Sequence, residues 1–206
     1  RAVLADAGIE PQRVDHVLMG HVLTAGAGQN TARQASIRAG LPVEVPATTV
    51  NMVCGSGLEA VQLAAQSIRL GEAQLVVAGG MESMSLAPYC LPKARAGLRM
   101  GHATLVDTMI SDGLWDAFGD THMGITAENL ARRHGIGREV QDAYALQSQQ
   151  RAIAAQDAGR FAAEITAVEL PKKGGGTQPF LADEQPRRDV DAASLAGLKP
   201  AFDKGG

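Results

Sequence analysis

The sequence predicts an α/β fold in which helices cover a largely parallel sheet. Residues 1–85 alternate between segments of helical periodicity and short apolar runs rich in Val and Thr, which is the pattern of βαβ units. Several of the helical segments end at a glycine, the residue that favours a helix end. Aromatic residues make up only 3% of the chain, so small aliphatic side chains are expected to pack the helices closely on the sheet.

The first elements have clear start and stop residues. Residues 1–7 resemble the end of an amphipathic helix, with Gly8 as its C-terminal cap. Residues 14–22 alternate enough to form a strand. After a Gly-rich loop, Asn30 is a good N-terminal cap for a helix over residues 31–39, which Gly40 ends.

A short buried strand is predicted over residues 47–53, directly before Cys54. The helix that follows extends to about residue 70 and stops at Gly71. Its predicted apolar face is formed by residues at steps of three and four, namely Leu58, Val61, Ala65 and Ile68. Another buried strand is predicted over residues 75–78, followed by the segment Gly79–Ser85.

The second part of the chain has a different character. A long basic segment interrupted by Pro88, Pro92 and Gly97 begins near residue 86, and loops of this length are usually functional or form an interface. Short helical pieces are predicted over residues 106–110 and 112–118. Longer helices are predicted over residues 126–134 and 138–158, and strands over residues 165–170 and 178–181. We therefore predict a core domain over residues 1–85 and an inserted α+β domain over residues 86–206.

Composition and motifs exclude several classes of function. The net charge of −3 gives no general affinity for nucleic acid, and no apolar run is long enough to span a membrane. The five His show no metal-ligand spacing with Cys or carboxylates, and no phosphate-binding P-loop is present. The two Cys are too few for a disulfide scaffold, and no secretory signal pattern opens the chain, so a cytoplasmic protein is expected.

Cys54 is the strongest candidate for a reactive group. It lies where a strand turns into a helix start, between residues that allow a tight turn, and free N–H groups at such a start favour an anion. The alternative is a buried structural cysteine, a common fate of free Cys. A serine hydrolase centred on Ser56 is disfavoured, because the G-x-S-x-G motif needs Gly where Cys54 stands.

Three further residues have competing interpretations. Cys90 has no helix start after it and is interpreted as structural. His122 lies in a Gly-bounded turn, where it is either functional or a loop His bonded to backbone. Glu82 is expected to hold the turn beneath the nucleophile and not to act as a base.

The chain resembles the thiolase family over almost its whole length. Five segments carry the resemblance in order and spacing, namely Asn51–Gly57, Val77–Ser85, Asp112–Leu114, His122–Asn129 and Lys199–Asp203. The resemblance is greatest to the biosynthetic short-chain branch. It implies a layered α/β core with an inserted loop domain and an acetyl-CoA C-acetyltransferase activity, with ping-pong transfer between two acetyl-CoA molecules or the reverse thiolysis. Coenzyme A thioesters are then substrates, and no cofactor or metal is implied.

The family pattern also implies roles for particular residues. Cys54 corresponds to the nucleophile that becomes acetylated. His122 and Met123 correspond to residues near the thioester and the pantetheine, and Leu114 to a contact with coenzyme A. Arg187 and Ser194 correspond to residues at the nucleotide end and the pantetheine arm, with Arg188 as an alternative to Arg187. Family members assemble as homotetramers, joined through the segment that corresponds to residues 89–107.

The departures from the family pattern concern its second half. No Gly-His-Pro motif, no Asn-Glu-Ala-Phe motif and no second catalytic Cys is found in residues 1–206, and the first core strand is also expected to be missing. The sequence therefore resembles a partial chain that keeps the nucleophile but lacks the C-terminal core domain and the general bases. We expect this segment alone to be inactive.

Three alternative functions remain at this point. A 3-ketoacyl-CoA thiolase of broader chain length would keep the same motifs. A thiolase-fold condensing enzyme with a carrier-bound substrate is disfavoured, because such relatives usually lack the insertion that contains His122 and Met123. A non-catalytic coenzyme A- or lipid-binding protein would have no need of Cys54.

Overall fold

A computed structural model describes residues 1–206 of the chain. The chain forms two compact units, Arg1–His122 and Met123–Gly206, and each is described by itself. The boundary that the change in sequence character predicts at residues 85 and 86 stays a prediction.

The first unit is built around a parallel sheet of three strands. Its elements are α1 (Ala2–Asp6), β1 (His16–Gly20), α2 (Thr31–Ala39), β2 (Ala47–Val50), α3 (Ser56–Arg69) and β3 (Val76–Gly80). The strand order is β2-β1-β3, and both neighbours of β1 run parallel to it. This confirms the predicted α/β fold with a parallel sheet.

The strand order places helices on both faces of the sheet. The chain passes from β1 to β2 through α2, and it then crosses back past β1 to β3 through α3. Because such crossovers are right-handed, a reversal of direction moves the second helix to the opposite face. Val17 and Leu18 accordingly belong to separate buried clusters, the first with Leu4, Val14, Leu41 and Val45 and the second with Ala60 and Ala64.

Helix α2 has the bounds and caps that the sequence predicted. The side chain of Asn30 accepts a hydrogen bond of 3.2 Å from the N–H of Arg33. Gly40 ends the helix with a φ of 92°, a left-handed conformation that costs glycine little. Asn30 also donates from its side-chain amide to the carbonyl of Ala47 at 2.9 Å, which ties the start of α2 to β2.

Helix α3 is present as predicted, but its predicted apolar face is not the face that packs on the sheet. The buried residues of α3 are small, Ser56, Ala60 and Ala64, whereas Leu58 is 65% exposed and Val61 and Ile68 are exposed as well. Successive helical residues are rotated by about 100°, so these large side chains point to the opposite side of the helix. Small residues on the buried side allow a close approach of the helix to the sheet.

The remainder of the first unit consists of short elements. Strands β4 (Tyr89–Cys90) and β5 (Val106–Asp107) pair antiparallel, as do β6 (Trp115–Asp116) and β7 (Thr121–His122). A π-helical segment, Met109–Leu114, lies between β5 and β6. The helical pieces predicted over residues 106–110 and 112–118 were therefore wrong at β5 and β6, where the backbone is extended and paired.

The second unit is a small α+β arrangement. It contains α4 (Met123–His134), α5 (Arg138–Asp157), the antiparallel strands β8 (Val168–Pro171) and β9 (Thr177–Phe180), and the short helix α6 (Ala192–Ala196). Arg138 links the start of α5 to the end of α6, because its guanidinium donates to the carbonyls of Leu195 at 2.7 Å and Leu198 at 3.0 Å. The predicted hairpin is confirmed, and α6 was not predicted.

Candidate active site

The turn between β2 and α3 presents Cys54 to solvent. Cys54 is exposed and directly precedes Gly55, the N-terminal cap of α3. Val53, just before the cysteine, has a φ of 48°, a strained value for a β-branched residue. Strain of this kind persists only where surrounding contacts impose it, and it concentrates at functional sites.

The contacts that impose the turn come mainly from Ser56. Its buried hydroxyl donates to the carbonyl of Val53 at 2.6 Å and accepts from the N–H of Met52 at 2.8 Å. The side chain of Asn51 accepts a further hydrogen bond of 3.0 Å from the N–H of Val53. Every residue from Asn51 to Val53 is thus tied by a side chain of the same turn, which fixes the position of Cys54.

A glycine on the neighbouring strand allows α3 to begin so close to the sheet. A Cβ atom at Gly20 would lie 2.6 Å from the carbonyl carbon of Ser56 and 2.7 Å from the nitrogen of Gly57. Atoms of the backbone cannot yield at such distances, so only glycine fits at the end of β1.

Cys54 lines a cavity of about 470 Å³ at the carboxyl ends of the three parallel strands. Ligands of open α/β sheets bind at this edge, where the strand order reverses. The lining is mostly apolar and comes from the turns after all three strands and from the π-helical segment, namely Gly20, His21, Val22, Leu23, Val53, Cys54, Ser56, Gly57, Gly80, Met81, Glu82, Met84, Met109, Gly113 and Leu114.

A polar network joins the strand ends around this cavity. Glu82 accepts hydrogen bonds from the backbone N–H groups of Val22 at 3.0 Å and Leu23 at 3.1 Å. His21, which is buried, lies with Nε2 at 3.1 Å from Glu82 Oε1 and with Nδ1 at 2.7 Å from Thr31 Oγ1. Glu82 therefore holds the loop after β1 to the end of β3, whereas the expectation placed it at the turn beneath the nucleophile.

The structure brings Cys54 and Leu114 to one cavity. His122 lies in the same unit, on β7, where it pairs with Trp115, and it does not line the cavity. Cys90, which was interpreted as structural, is exposed on β4.

The other residues assigned by resemblance lie in the second unit. Met123 is the first residue of α4. Ser194 lies in the first turn of α6, where its N–H donates to the carboxylate of Asp191 at 2.7 Å and its hydroxyl accepts from the N–H of Asp191 at 2.9 Å. These bonds form a capping box, and they hold the pKa of Asp191 below its ordinary value.

The two adjacent arginines differ in their pairing. Arg188 donates two hydrogen bonds to the carboxylate of Asp157, at 2.6 and 3.1 Å, and this lowers the pKa of Asp157 and raises that of Arg188. Arg187 is 69% exposed, and its Nε lies 3.7 Å from Asp189. Of these two arginines, Arg187 therefore has the less engaged guanidinium group.

Sequence reasoning missed His21 and Ser56. His21 follows a strand directly, at the carboxyl end where ligands of α/β sheets bind, and that position was a usable signal. Nothing in the sequence of Ser56 shows its two backbone partners.

The structure holds neither a cluster of metal-binding side chains nor a helix suited to span a membrane. The described residues hold no group of three or more His, Cys, Asp or Glu side chains that could bind a metal ion. None of the helices combines the length and apolarity needed to cross a membrane.

Comparisons with known proteins agree on one family. The model of the family described as "Thiolase, N-terminal domain" matches residues 1–206. An acetyl-CoA acetyltransferase of Pseudomonas aeruginosa is 61% identical over 100% of this chain and 52% of its own length. An acetyl-CoA acetyltransferase of Cupriavidus necator is 57% identical over 100% of this chain and 52% of its own length.

A solved structure gives the same result. The crystal structure of the Bacillus anthracis acetyl-CoA acetyltransferase matches with a TM-score of 0.94 and 40% identity. The match covers 98% of this chain and 51% of the Bacillus anthracis chain. The chain spans about half the length of the curated relatives it matches.

Proposed function

The chain belongs to the thiolase family, and on that premise we propose that it forms part of an acetyl-CoA C-acetyltransferase in which Cys54 carries the acetyl group. The observation that carries the proposal is the position of Cys54, on a strained turn before α3 and at a cavity on the carboxyl edge of the sheet. Relatives named acetyl-CoA acetyltransferase at 61% and 57% identity support the choice of substrate.

The first half of the proposed reaction is transfer of acetyl to Cys54. The sulfur attacks the carbonyl carbon of acetyl-CoA, the new C–S bond forms, and the C–S bond to coenzyme A breaks. Coenzyme A leaves as a thiol and takes the proton that Cys54 gives up. A cysteine thioester suits this role, because a thiolate is both a strong nucleophile and a good leaving group.

The second half joins two acetyl groups. A second acetyl-CoA loses a proton from its methyl group, and the resulting carbanion attacks the carbonyl carbon held on Cys54. A C–C bond forms, the bond to the Cys54 sulfur breaks, and acetoacetyl-CoA is released, while the sulfur returns to the thiol by taking up one proton, which balances the proton lost from the methyl group. Thiolysis is the same sequence in reverse.

Residues outside the Cys54 turn are proposed to hold coenzyme A. Leu114 contributes an apolar contact in the cavity, and His122 and Met123 are proposed to lie along the pantetheine. Arg187 is proposed to bind a phosphate of coenzyme A, since a guanidinium can bond phosphate through two donors and Arg188 is engaged with Asp157. Ser194 is proposed to contact the pantetheine arm.

The labelled acetyl group provides the test. Isotope-labelled acetyl-CoA is added to the full-length protein, and tryptic peptides are searched for retained label. We expect label on the Cys54 peptide, none in Cys54→Ala, and unchanged labelling in the matched control Cys90→Ala. Label on another residue, or none at all, would refute the proposal.

The isolated segment 1–206 is proposed to be inactive in condensation. The family pattern places the general bases in its second half, and each positioned base contributes about 10²–10⁴-fold. Acetoacetyl-CoA formation by residues 1–206 is compared with that by the full-length protein and by Cys54→Ala. A rate for residues 1–206 within about tenfold of the full-length rate would show that the bases lie within these residues.

A further inference from the structure

The loop after β1 forms one wall of the Cys54 cavity, and one carboxylate bonds two of its N–H groups. Glu82 bonds the N–H groups of Val22 and Leu23 through separate oxygens, Oε2 at 3.0 Å and Oε1 at 3.1 Å. Both residues line the cavity. The position of this wall is therefore set from β3, by a residue with its side chain 32% exposed.

His21 completes the attachment of the loop. Its Nε2 lies 3.1 Å from Glu82 Oε1, and its Nδ1 lies 2.7 Å from the hydroxyl oxygen of Thr31. Through His21, the wall is tied to the start of α2 as well as to the end of β3.

The polar atoms of Glu82 and His21 are occupied by partners within the protein. Glu82 accepts three hydrogen bonds, and both ring nitrogens of His21 are engaged. The pair is thus arranged to position the wall and not to act on a substrate.

Leu23 fills the space between this wall and the π-helical segment. It is 7% exposed, and its Cδ2 lies 3.3 Å from the position that a Cβ atom at Gly113 would occupy. Gly113 and Leu114 line the same cavity as Cys54. An acyl chain that extends from the cysteine toward this side must therefore meet the isobutyl group of Leu23.

We propose that Leu23, held in place by Glu82 and His21, limits the length of the acyl group that the Cys54 cavity accepts. The inference rests on the proposed acyl transfer and adds its specificity: short 3-ketoacyl-CoA thioesters are accepted and longer ones are excluded at this wall. Leu23 is a specificity residue, and Glu82 and His21 are positioning residues.

The test measures thiolysis by the full-length protein with acetoacetyl-CoA and with its straight-chain homologues that carry two and four more carbons. For each variant, the kcat/KM for a longer substrate is divided by the kcat/KM for acetoacetyl-CoA, and this ratio is compared with the wild-type ratio. Leu23→Ala is expected to raise the ratio by about tenfold or more, in line with the discrimination that one or two methylenes provide. Gly113→Ala is expected to lower the ratio, because the added methyl presses on Leu23.

Variants of the attachment separate positioning from general stability. Glu82→Gln replaces one acceptor oxygen by an amide donor, which faces the N–H groups of Val22 and Leu23 and the ring of His21. This loosens the wall and is expected to raise the ratio several-fold. His21→Leu has the same expected effect, whereas His21→Gln is expected to keep the wild-type ratio, because Gln can donate to Glu82 and accept from Thr31. The matched control is Asp15→Asn. Asp15 ties the starts of β1 and β3, because its carboxylate accepts from the N–H groups of Gln74 at 2.7 Å and Leu75 at 2.9 Å. These bonds lie at the sheet edge opposite the cavity. Asp15→Asn is therefore expected to leave the ratio unchanged.

A second measurement does not depend on turnover. Cys54 is alkylated with a maleimide that has a large N-substituent and with one that has a small N-substituent. The rate with the large reagent divided by the rate with the small one reports the width of the cavity. Circular dichroism checks that each variant is folded. Wild-type protein without thiolysis or acetylation would refute the proposed function, and the alkylation ratio would still decide the role of the wall. Folded Leu23→Ala with unchanged ratios in both assays would overturn the inference, as would an equal change in Asp15→Asn.

Discussion

The hydroxyl of Ser56 donates a hydrogen bond of 2.6 Å to the carbonyl of Val53, and this bond closes the turn that carries Cys54. Ser56→Ala leaves the N–H of Met52 without its partner, at a cost of about 1–3 kcal/mol, and leaves the carbonyl of Val53 with only the backbone N–H of Ser56. We expect a lower free energy of unfolding and a Cys54 acetylation rate reduced by about tenfold, with little change in the KM for acetyl-CoA. Stopped-flow acetylation measures the rate. The matched control, Ser67→Ala on the same helix, is expected to leave that rate unchanged, and an equal loss in both would contradict the role of Ser56.

The backbone conformation of Val53 is expected to lower the free energy of unfolding. Its φ of 48° is tolerated far better by Asn than by a β-branched residue, and the strain is worth about 1–3 kcal/mol. Val53→Asn should therefore raise the unfolding free energy by about 1 kcal/mol, measured by urea denaturation. The control is Val61→Asn, since Val61 is similarly exposed but helical. A gain of stability at both positions would contradict the explanation by strain.

The two cysteines are both exposed, so a difference in their reactivity reports their surroundings and not their access. Cys54 lies on a fixed turn at the start of α3 and lines a cavity, whereas Cys90 lies on a short strand. Iodoacetamide at neutral pH is expected to label Cys54 at least several times faster, as followed by peptide mapping of the full-length protein. Faster labelling of Cys90 with activity retained would contradict the assignment of Cys54.

Asp15 is expected to make stability depend on pH. The N–H groups of Gln74 and Leu75 hold the pKa of its carboxyl below the ordinary 3.8. Because the folded-state pKa is the lower one, the stabilisation is complete above the unfolded-state pKa and is lost as the pH falls through the folded-state value. The stability difference between wild type and Asp15→Asn should thus be larger near neutral pH than at about pH 3. Asp6→Asn, on the exposed end of α1, controls for loss of one surface charge, and a difference independent of pH would contradict the prediction.

The segment between β4 and β5 is expected to serve assembly. Its exposed residues include Leu98, Leu105 and Met100, which is 95% exposed, and the family resemblance assigns this segment to tetramer formation. Because Cys90 and Val106 are direct cross-strand partners, an Asn-Gly turn can replace residues 91–105. We expect the full-length variant to be a dimer by light scattering and to retain Cys54 acetylation.

The β8–β9 hairpin offers a matched control for this deletion. Pro171 and Thr177 are cross-strand partners, so residues 172–176 can be replaced by the same turn. That variant is expected to keep the tetramer. Unchanged tetramers in the first variant would contradict an assembly role for residues 91–105.

Local signals in the sequence were sufficient for several elements. Asn30 and Gly40 predicted both ends of α2, and the glycines around Cys54 predicted a turn into a helix start. The buried face of α3 was missed, because periodicity was sought among large apolar residues and the contacts are made by Ser56, Ala60 and Ala64. Between residues 106 and 118, strand pairing overrode the local helical preference.

Two of the residues proposed from the sequence lie at the same cavity, Cys54 and Leu114. Cys54 was found from its own neighbours, and Leu114 from the family resemblance. The contact between Glu82 and the loop of His21 and Leu23 joins residues about sixty positions apart. It exists because the two crossovers bring the ends of β1 and β3 side by side, and no local pattern contains that information.

Gly20 has a consequence for how tolerance to mutation is interpreted in this protein. Any side chain there would displace the backbone of Ser56 and Gly57, and with it the turn that holds Cys54. A survey of all single substitutions would therefore find Gly20 as intolerant as the cysteine, although glycine has no group that could take part in a reaction. At this junction, intolerance to substitution reflects the space that a residue leaves for its neighbours. A role in the chemistry must therefore be assigned from the functional groups of the residue itself.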